Sequence, residues 1–269
     1  MNRIEERFAK LRNSGRKGFI PFITAADPNL KTSLQIALKL AELGADVIEL
    51  GVPFSDPMAD GPTIQLSSQR ALDSGAVLPA ILELVSEFRK QSNTAIVLFS
   101  YLNPLMSYGI EKLAGDLPAV GVDGVLVTDV VEKEARTIAA LFGSKNINLI
   151  SLIAPTTTDE RLKAISETAT GFLYAVSRAG VTGERSEMSS KAENLVNRAR
   201  RITDLPIAVG FGISSAEQIE AVWQYADAAV VGSAIVNQIA RAGLGDGVSA
   251  VEHFVASLLP EFAKGGIEI

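Results

Sequence analysis

Residues 43–51 read Leu-Gly-Ala-Asp-Val-Ile-Glu-Leu-Gly, a helix end that turns directly into a short apolar strand. Glycine just after the last helical residue is typical of a helix C-cap, because it enters the left-handed conformation without strain. Residues 120–125 (Val-Gly-Val-Asp-Gly-Val) and 225–230 (Tyr-Ala-Asp-Ala-Ala-Val) have a related form. This weak internal repeat predicts a chain of units in which each helix leads into a buried strand.

Eight short segments along the chain are continuous apolar runs without alternation of polar residues. Such runs are typical of strands buried on both faces, as in a parallel sheet covered by helices. The segments cover residues 18–25, 45–53, 95–103, 122–129, 147–155, 171–177, 206–213 and 228–235.

Helical patterns separate these segments. Ser214, with Glu217 three residues later, forms a capping box that predicts the start of one helix, over residues 214–225. An extra amphipathic helix at the N-terminus places Ile4, Phe8 and Leu11 on one face. The remaining patterns cover residues 30–43, 77–91, 110–120, 133–142, 158–168, 189–202 and 248–262.

Eight alternating strand–helix units predict an α/β protein with a (β/α)₈ TIM-barrel fold and an extra N-terminal helix. A doubly wound open sheet is the alternative. No linker rich in Pro, Gly and Ser divides the sequence, so we expect a single barrel domain over residues 1–269.

Composition excludes several classes of function. The 269 residues include no cysteine and one histidine, His253, so a disulfide framework, a thiolate zinc site and a multi-histidine metal site are ruled out. A Ser-His-Asp triad is disfavoured because the one histidine lies near the C-terminus. The net charge of −6, without a basic cluster, argues against nucleic-acid binding. A charged N-terminus and the lack of an apolar run near ~18 residues predict a cytoplasmic protein.

Glu49 is the clearest candidate for chemistry. Strand alternation places Ile48 and Leu50 on one face and Glu49 on the other, facing the barrel interior if the apolar face meets the helices. None of the eight segments contains Lys or Arg. Burial without a cation should raise the pKa of this carboxyl, which suits a general acid or base. A buried structural ion pair is the alternative.

The segment that follows, residues 53–62, contains three prolines and is therefore stiff. Barrel active sites lie at the carboxyl ends of the strands, so this loop can hold Asp56 or Asp60 over the mouth. Asp-Pro and Asp-Gly pairs are equally common in solvated turns. The residues alone leave both interpretations open.

Glycines mark the ends of the last two predicted strands. Gly210 and Gly212 precede a helix, and Gly232 with Ser233 follows the strand of the eighth segment. Backbone N–H groups at such positions bind phosphate in many barrels, although ordinary turns are the alternative. The long polar stretch 178–191 after the sixth segment is either a lid or a solvent loop.

Residues 48–62, Ile-Glu-Leu-Gly-Val-Pro-Phe-Ser-Asp-Pro-Met-Ala-Asp-Gly-Pro, resemble the signature of the tryptophan synthase α chain family. The resemblance covers essentially the whole chain, including residues 18–26, 101–104, 177–183, 210–213 and 231–236. It implies a lyase of tryptophan biosynthesis, which cleaves indole-3-glycerol phosphate by retro-aldol chemistry to indole and glyceraldehyde 3-phosphate. It also implies that this chain needs no metal and no cofactor of its own.

The resemblance assigns roles to residues. Glu49 matches the family's acid/base, and Asp60 matches the aspartate that accepts the indole N–H. The residues expected to bind the substrate are Phe22, Tyr174, Thr182, Gly183, Phe211, Gly212, Gly232 and Ser233.

The resemblance further implies a β subunit that carries pyridoxal phosphate, in an α₂β₂ heterotetramer. The expected interface residues are Asp56, Pro57, Asp129 and Val131. Val131 stands where the family usually has proline, a departure that concerns partner binding. The alternatives are a stand-alone indole-releasing lyase, and a weakly catalytic subunit that mainly activates a β partner.

Overall fold

The computed structural model describes residues 2–130, 132–176, 185–210, 212–243 and 245–259. Eight parallel strands pair in chain order, and the eighth pairs with the first to close a barrel. The predicted (β/α)₈ barrel is therefore confirmed, and the open-sheet alternative is wrong. The strands are β1 (Gly18–Thr24), β2 (Val47–Gly51), β3 (Ala95–Ser100), β4 (Gly124–Val127), β5 (Asn148–Ile153), β6 (Leu173–Val176), β7 (Ile207–Gly210) and β8 (Ala228–Val231).

Helices surround the barrel, and one more precedes β1 as predicted. Their bounds are α1 (Arg3–Asn13), α2 (Leu30–Glu42), α3 (Pro62–Asp73), α4 (Leu78–Arg89), α5 (Leu102–Tyr108), α6 (Ile110–Val120), α7 (Glu132–Gly143), α8 (Asp159–Ser166), α9 (Arg185–Ala199), α10 (Ala216–Trp223), α11 (Ser233–Ala242) and α12 (Gly247–Leu258). Three of them, α3, α5 and α11, were not predicted. None of the helices within the described ranges is long and apolar enough to cross a bilayer.

Several predicted boundaries were wrong, and two of the differences have a clear physical reason. The eighth apolar run continues past β8 because the chain turns at Gly232, and Ile235 then packs into the core from helix α11. Helix α10 is capped by Ser215, whose hydroxyl accepts the N–H of Gln218, and not by Ser214. Ser214 instead donates its own N–H to the side chain of Gln218, at 2.7 Å.

Apolar residues form two layers on either side of the strands. Ile48 and Leu50 belong to the outer layer, between the strands and the helices. An inner layer fills the barrel itself and includes Ile20, Val97 and Ile150. Helix α1 closes the amino-terminal end of the barrel, where its apolar face joins that inner layer. This arrangement confirms the alternation predicted for β2 and turns Glu49 inward.

At the amino-terminal end of the barrel, the repeated turn before each even-numbered strand forms a hydrogen bond with the strand before it. In each case an oxygen of one side chain accepts the N–H of the first or second residue of the preceding odd-numbered strand. The four pairs are Asp46 with Phe19 at 2.6 Å, Asp123 with Ile96 at 2.8 Å, Thr170 with Leu149 at 2.8 Å, and Asp227 with Ile207 at 2.8 Å. Cations from α1 and α4 neutralise two of these carboxylates, through Arg7 on Asp46 and through Arg3 and Arg89 on Asp123.

Candidate active site

Glu49 lies in β2, between Phe22 of β1 and Val97 of β3. Its side chain is fully buried, and neither carboxyl oxygen has a hydrogen-bond partner among the described residues. Burial alone raises the pKa of this carboxyl to about 8. No ion pair of the described chain involves it, in contrast to the alternative of a structural salt bridge. The group is therefore mainly protonated at neutral pH.

Tyr174 of β6 brings a hydroxyl close to both candidate carboxyl groups. It is buried, and burial raises its pKa well above the usual tyrosine value, with further upward contributions from the charges of Glu49 and Asp60. Its ring has room because residue 210 is glycine: a Cβ there would lie 2.1 Å from the tyrosine hydroxyl oxygen. The three side chains thus converge at one mouth of the barrel.

Aromatic rings line the same end of the barrel. Phe22 packs edge-on against Phe99 with ring centroids 5.4 Å apart, and Phe99 meets Tyr174 at 6.3 Å. Gly51 leaves space for Phe22, since a Cβ at that glycine would lie 2.5 Å from the ring. A wall of aromatic edges and faces suits a flat aromatic ligand, because such rings pack in tilted and offset arrangements.

Asp60 reaches the site from the loop between β2 and α3. Its carboxyl is partly buried, and burial raises its pKa to about 6 against the opposing effect of a hydrogen bond from Tyr101. The Tyr101 hydroxyl donates to Asp60 at 3.1 Å and accepts the N–H of Ala59 at 2.9 Å. We did not identify Tyr101 as a site residue from sequence, although it directly follows β3 at the face where barrel sites form.

The predicted partner residues lie on the outer surface of this face. Asp56 is exposed and accepts a hydrogen bond from the hydroxyl of its neighbour Ser55, while Pro57 is half-buried. Asp129 is exposed and accepts the N–H of Leu102 at 2.7 Å. Val131 lies outside the described residues. Two methionines are exposed on the same face, Met58 at 91% in the loop between β2 and α3, and Met106 at 62% in helix α5 after β3.

Helix α11 points its amino-terminal end at the mouth of the barrel. Gly232 is its N-cap, and the first N–H groups that bond back to Gly232 belong to Ile235 and Val236. The amides of Ser233 and Ala234 therefore remain available to an anion, as is usual for the first turn of a helix. Gly212, with φ of 80°, is the exposed glycine after β7.

Part of the predicted site lies outside the described residues, namely Thr182, Gly183 and Phe211. The predicted lid, 178–191, falls partly outside them as well. Its described part, from residue 185 onward, is not a loop but the first turns of helix α9. Among the described residues, no group of three or more His, Asp or Glu side chains is placed to hold a metal ion.

These features define a class of protein, a (β/α)₈ barrel with buried carboxyl groups at the mouth formed by the carboxyl ends of its strands. The family model for the tryptophan synthase alpha chain matches residues 8–259. The chain therefore belongs to the tryptophan synthase α chain family, which is the lyase subunit that cleaves indole-3-glycerol phosphate.

Individual relatives agree over nearly the whole length. The tryptophan synthase alpha chain of Acidiphilium cryptum is 46% identical, covering 98% of this chain and 95% of the relative. That of Geobacter sp. strain M21 is 45% identical, covering 98% and 99%. The solved α subunit from Legionella pneumophila superposes with a TM-score of 0.89 at 33% identity, covering 96% and 97% of the two chains. A chain from the tryptophan synthase α₂β₂ complex of Pyrococcus furiosus gives 0.84 at 41%, covering 90% and 97%. The comparisons favour neither alternative function.

Proposed function

We propose that Glu49 is the acid/base of the lyase reaction and that Asp60 stabilises its charged intermediate. The observation that carries this assignment is the fully buried Glu49 carboxyl, which forms no ion pair and no hydrogen bond with a described residue. With a pKa raised to about 8, it holds a proton at neutral pH and can give it to a carbon atom.

The two proton transfers balance within one turnover. Glu49 first donates its proton to indole C3, which makes the ring a cationic indolenine and leaves the glutamate as a carboxylate. That carboxylate then takes a proton from the substrate, from the hydroxyl of its glycerol phosphate side chain on the carbon next to the ring. The carbon–carbon bond breaks, its electron pair returns to the ring, and indole and the aldehyde leave. Glu49 ends protonated, ready for the next substrate molecule.

Asp60 complements this cycle because the positive charge of the indolenine sits on the ring nitrogen. An ionised carboxylate that accepts the indole N–H lowers the energy of this cation. The pKa of about 6 leaves Asp60 mostly ionised at neutral pH, whereas Glu49 stays mostly protonated. Two carboxyl groups at one mouth therefore occupy opposite protonation states, as an acid and a stabilising base require.

We propose that the phosphate of the substrate rests on the amino-terminal end of α11. Support comes from the open amides of Ser233 and Ala234, and from glycines at 212 and 232 that let an anion approach the backbone. Thr182 and Gly183 would bind the phosphate from the side opposite α11, and Phe211 would cover the indole ring of the substrate. Phe22 and Tyr174 would line the indole pocket.

We further propose a β subunit as partner, in an α₂β₂ assembly in which the pyridoxal phosphate belongs to the β subunit. The solved relative from Pyrococcus furiosus is described as an α₂β₂ complex. Exposed Met58 and Met106 give the mouth-side surface an apolar character that suits a protein interface. Asp56, Pro57, Asp129 and Val131 would contribute to that interface. A cytoplasmic location also stays a prediction.

The decisive experiment replaces Glu49 by Gln, which keeps the shape of the side chain and removes its titrating proton. Indole release from indole-3-glycerol phosphate should fall by about 10²–10⁴-fold, the usual contribution of a positioned acid/base. Gln91→Glu serves as a matched control, since it makes the reverse change at an exposed position just after α4. Near-normal turnover by the Glu49→Gln protein, with intact folding, would overturn the assignment.

A further inference from the structure

The loop that carries Asp60 is attached to the barrel at both of its ends. At its start, the N–H of Val52 donates to the carbonyl oxygen of Phe99 at 2.8 Å. At its end, Ser67 of α3 shares a 2.6 Å hydrogen bond with Thr24 of β1. The residues in between, 53–60, form hydrogen bonds mostly with one another and with α3. Their conformation therefore depends on whatever holds the middle of the loop.

Tyr101 makes that central attachment. Both hydrogen bonds that the described structure shows from residues 53–60 to the barrel beyond α3 end on the Tyr101 hydroxyl. The ring is buried and packs against Phe54, with centroids 5.3 Å apart. A buried ring has few rotamers open to it, so its hydroxyl occupies a nearly fixed point. Tyr101 thus orients the Asp60 carboxyl and the preceding peptide together.

The same residue connects to a second loop. Leu102, next in sequence, donates its N–H to Asp129 in the loop between β4 and α7. Asp129 is exposed, so a molecule that binds this loop can alter the position of the backbone at residues 101–102. Two hydrogen bonds therefore link the Asp129 carboxylate to Asp60, one from the Leu102 amide and one from the Tyr101 hydroxyl, with the covalent chain of residues 101–102 between them.

We propose that Tyr101 is a positioning residue for the lyase reaction, which holds Asp60 in its productive orientation and couples it to the β4–α7 loop. This inference rests on the proposed role of Asp60. Tyr101 itself needs no contact with the substrate. Its hydroxyl acts on catalysis by fixing where the carboxylate meets the indole N–H.

The test is Tyr101→Phe, assayed for indole release with the β subunit present. Phenylalanine keeps the packing on Phe54 and removes only the hydroxyl. We expect kcat to fall about 10–100-fold, the usual effect of losing a hydrogen bond to a charged group. KM and the binding of glycerol 3-phosphate should change by less than about threefold, because the phosphate cradle lies on β7 and α11.

The pH dependence of kcat/KM distinguishes a residue that positions Asp60 from one that only stabilises the mouth of the barrel. The titratable groups that face Asp60 are Tyr101 from β3–α5 and Tyr174 from β6, with Glu49 beside Tyr174 and Asp129 beside Tyr101. The hydrogen bond from Tyr101 lowers the pKa of Asp60. Since Asp60 must be ionised, the acidic limb of kcat/KM should move to higher pH in Tyr101→Phe.

Tyr108→Phe is a matched control. The Tyr108 hydroxyl also donates to a carboxylate, that of Asp116 of α6 at 2.5 Å, and has no described hydrogen bond to residues 53–60. Its removal should leave kcat and the acidic limb unchanged. In an Asp60→Asn background, Tyr101→Phe should cost far less than in the wild type, because the group it positions is already altered.

Three results would overturn the inference. One is a Tyr101→Phe protein with wild-type kcat and an unmoved acidic limb. Another is an undiminished effect of Tyr101→Phe in the Asp60→Asn background. The third is parallel loss of glycerol 3-phosphate binding, which would make the hydroxyl a general support of the mouth. Failure of the wild-type chain to release indole, even with the β subunit, would instead refute the proposed function.

Discussion

At the scale of a single residue, burial favours the protonated form of Glu49, because its carboxyl is fully buried and forms no ion pair with a described residue. The inner apolar layer lies below it, and the outer layer takes Ile48 and Leu50. The absence of Lys and Arg from the strand segments already indicated this environment. Apolar packing therefore sets the protonation state of the Glu49 carboxyl. Burying this carboxyl also lowers the free energy of unfolding.

That cost depends on pH. The pKa of Glu49 rises from 4.5 to about 8 on folding, so the unfolded chain ionises over a range where the folded chain does not. Wild-type stability should fall as pH rises from about 4.5 to 8, and then level off. Glu49→Gln removes this dependence. Its free energy of unfolding relative to wild type should rise by roughly 1–4 kcal/mol across that range.

Urea unfolding at several pH values measures the difference between the two proteins. A constant offset from the buried amide does not matter, because the prediction concerns only the slope with pH. A difference that stays flat between pH 5 and 8 would mean that the Glu49 carboxyl is solvated in the folded protein.

Gly210 makes a second prediction at this scale. An alanine Cβ would lie 2.1 Å from the Tyr174 hydroxyl oxygen, so the ring must move toward the substrate pocket. Such overpacking typically costs ~1–3 kcal/mol, and we expect Gly210→Ala to lower kcat/KM roughly tenfold or more. Gly115→Ala is the control, because no atom lies within 4 Å of its Cβ position on exposed α6. It should gain about 0.5–1 kcal/mol in stability and keep wild-type kinetics.

At the scale of elements, α3 is held beside the mouth by polar contacts. Its buried residues are Ser67, Ser68 and Ala71, without one large apolar side chain. The carboxylate of Asp27, fully buried, receives two hydrogen bonds from Arg70 of α3, at 2.8 and 2.7 Å. This ion pair fixes the helix that follows Asp60 to the end of β1.

Breaking that pair should be costly. Arg70→Ala leaves a buried carboxylate without its partner, and we expect a loss of about 3 kcal/mol, less than a fully enclosed pair because Arg70 is partly exposed. Arg136→Ala removes the exposed pair with Glu167 and should change stability by less than about 1 kcal/mol. Chemical unfolding of both variants tests the contrast, and equal effects would contradict the anchoring role.

The same composition explains which elements the sequence could predict. The eight strands and the long helices can be predicted because their buried residues form apolar runs or helical stripes in the sequence. Helix α3 lacks such a stripe because small polar residues face the barrel, and α5 has seven residues with one buried, Leu105. Helix α11 was merged with β8 because apolar residues continue across the turn at Gly232. Local periodicity cannot separate these cases, since tertiary contacts decide them.

The site follows a similar division. Glu49 and the glycines could be found from strand pattern and spacing, because their roles depend on local geometry. Tyr101 could not, because its importance comes from contacts with Ala59 and Asp60, some forty residues earlier in the chain. The resemblance of residues 48–62 selected Asp60 over Asp56, which the residues alone left open.

At the scale of the whole molecule, we expect the free chain to be a weak catalyst. Loops rich in polar residues bury little apolar surface, so we expect the closed arrangement of the mouth to be a minor population in the free chain. Moving a closed population from about 1% to about 99% takes ~5.5 kcal/mol of differential binding, which a protein interface can supply. Indole release should therefore rise at least tenfold when the β subunit is added.

Asp56→Ala should reduce this rise, whereas Asp73→Ala, an equally exposed aspartate at the far end of α3, should not. Val131→Pro, which restores the usual family residue, should strengthen the rise if it has any effect. Equal indole release with and without the β subunit, together with no complex in size-exclusion chromatography, would favour the stand-alone lyase.

The closing of the barrel by α1 has a consequence for biosynthesis. Asn2 donates hydrogen bonds to the carbonyl oxygens of Asp123 and Asn146, 121 and 144 residues further along the chain. Helix α1 thus acquires its docking site only after the ribosome has translated the chain as far as Asn146. Until then, Ile4, Phe8 and Leu11 present an uncovered apolar stripe. A chaperone that binds exposed apolar surface would bind the nascent protein at this stripe.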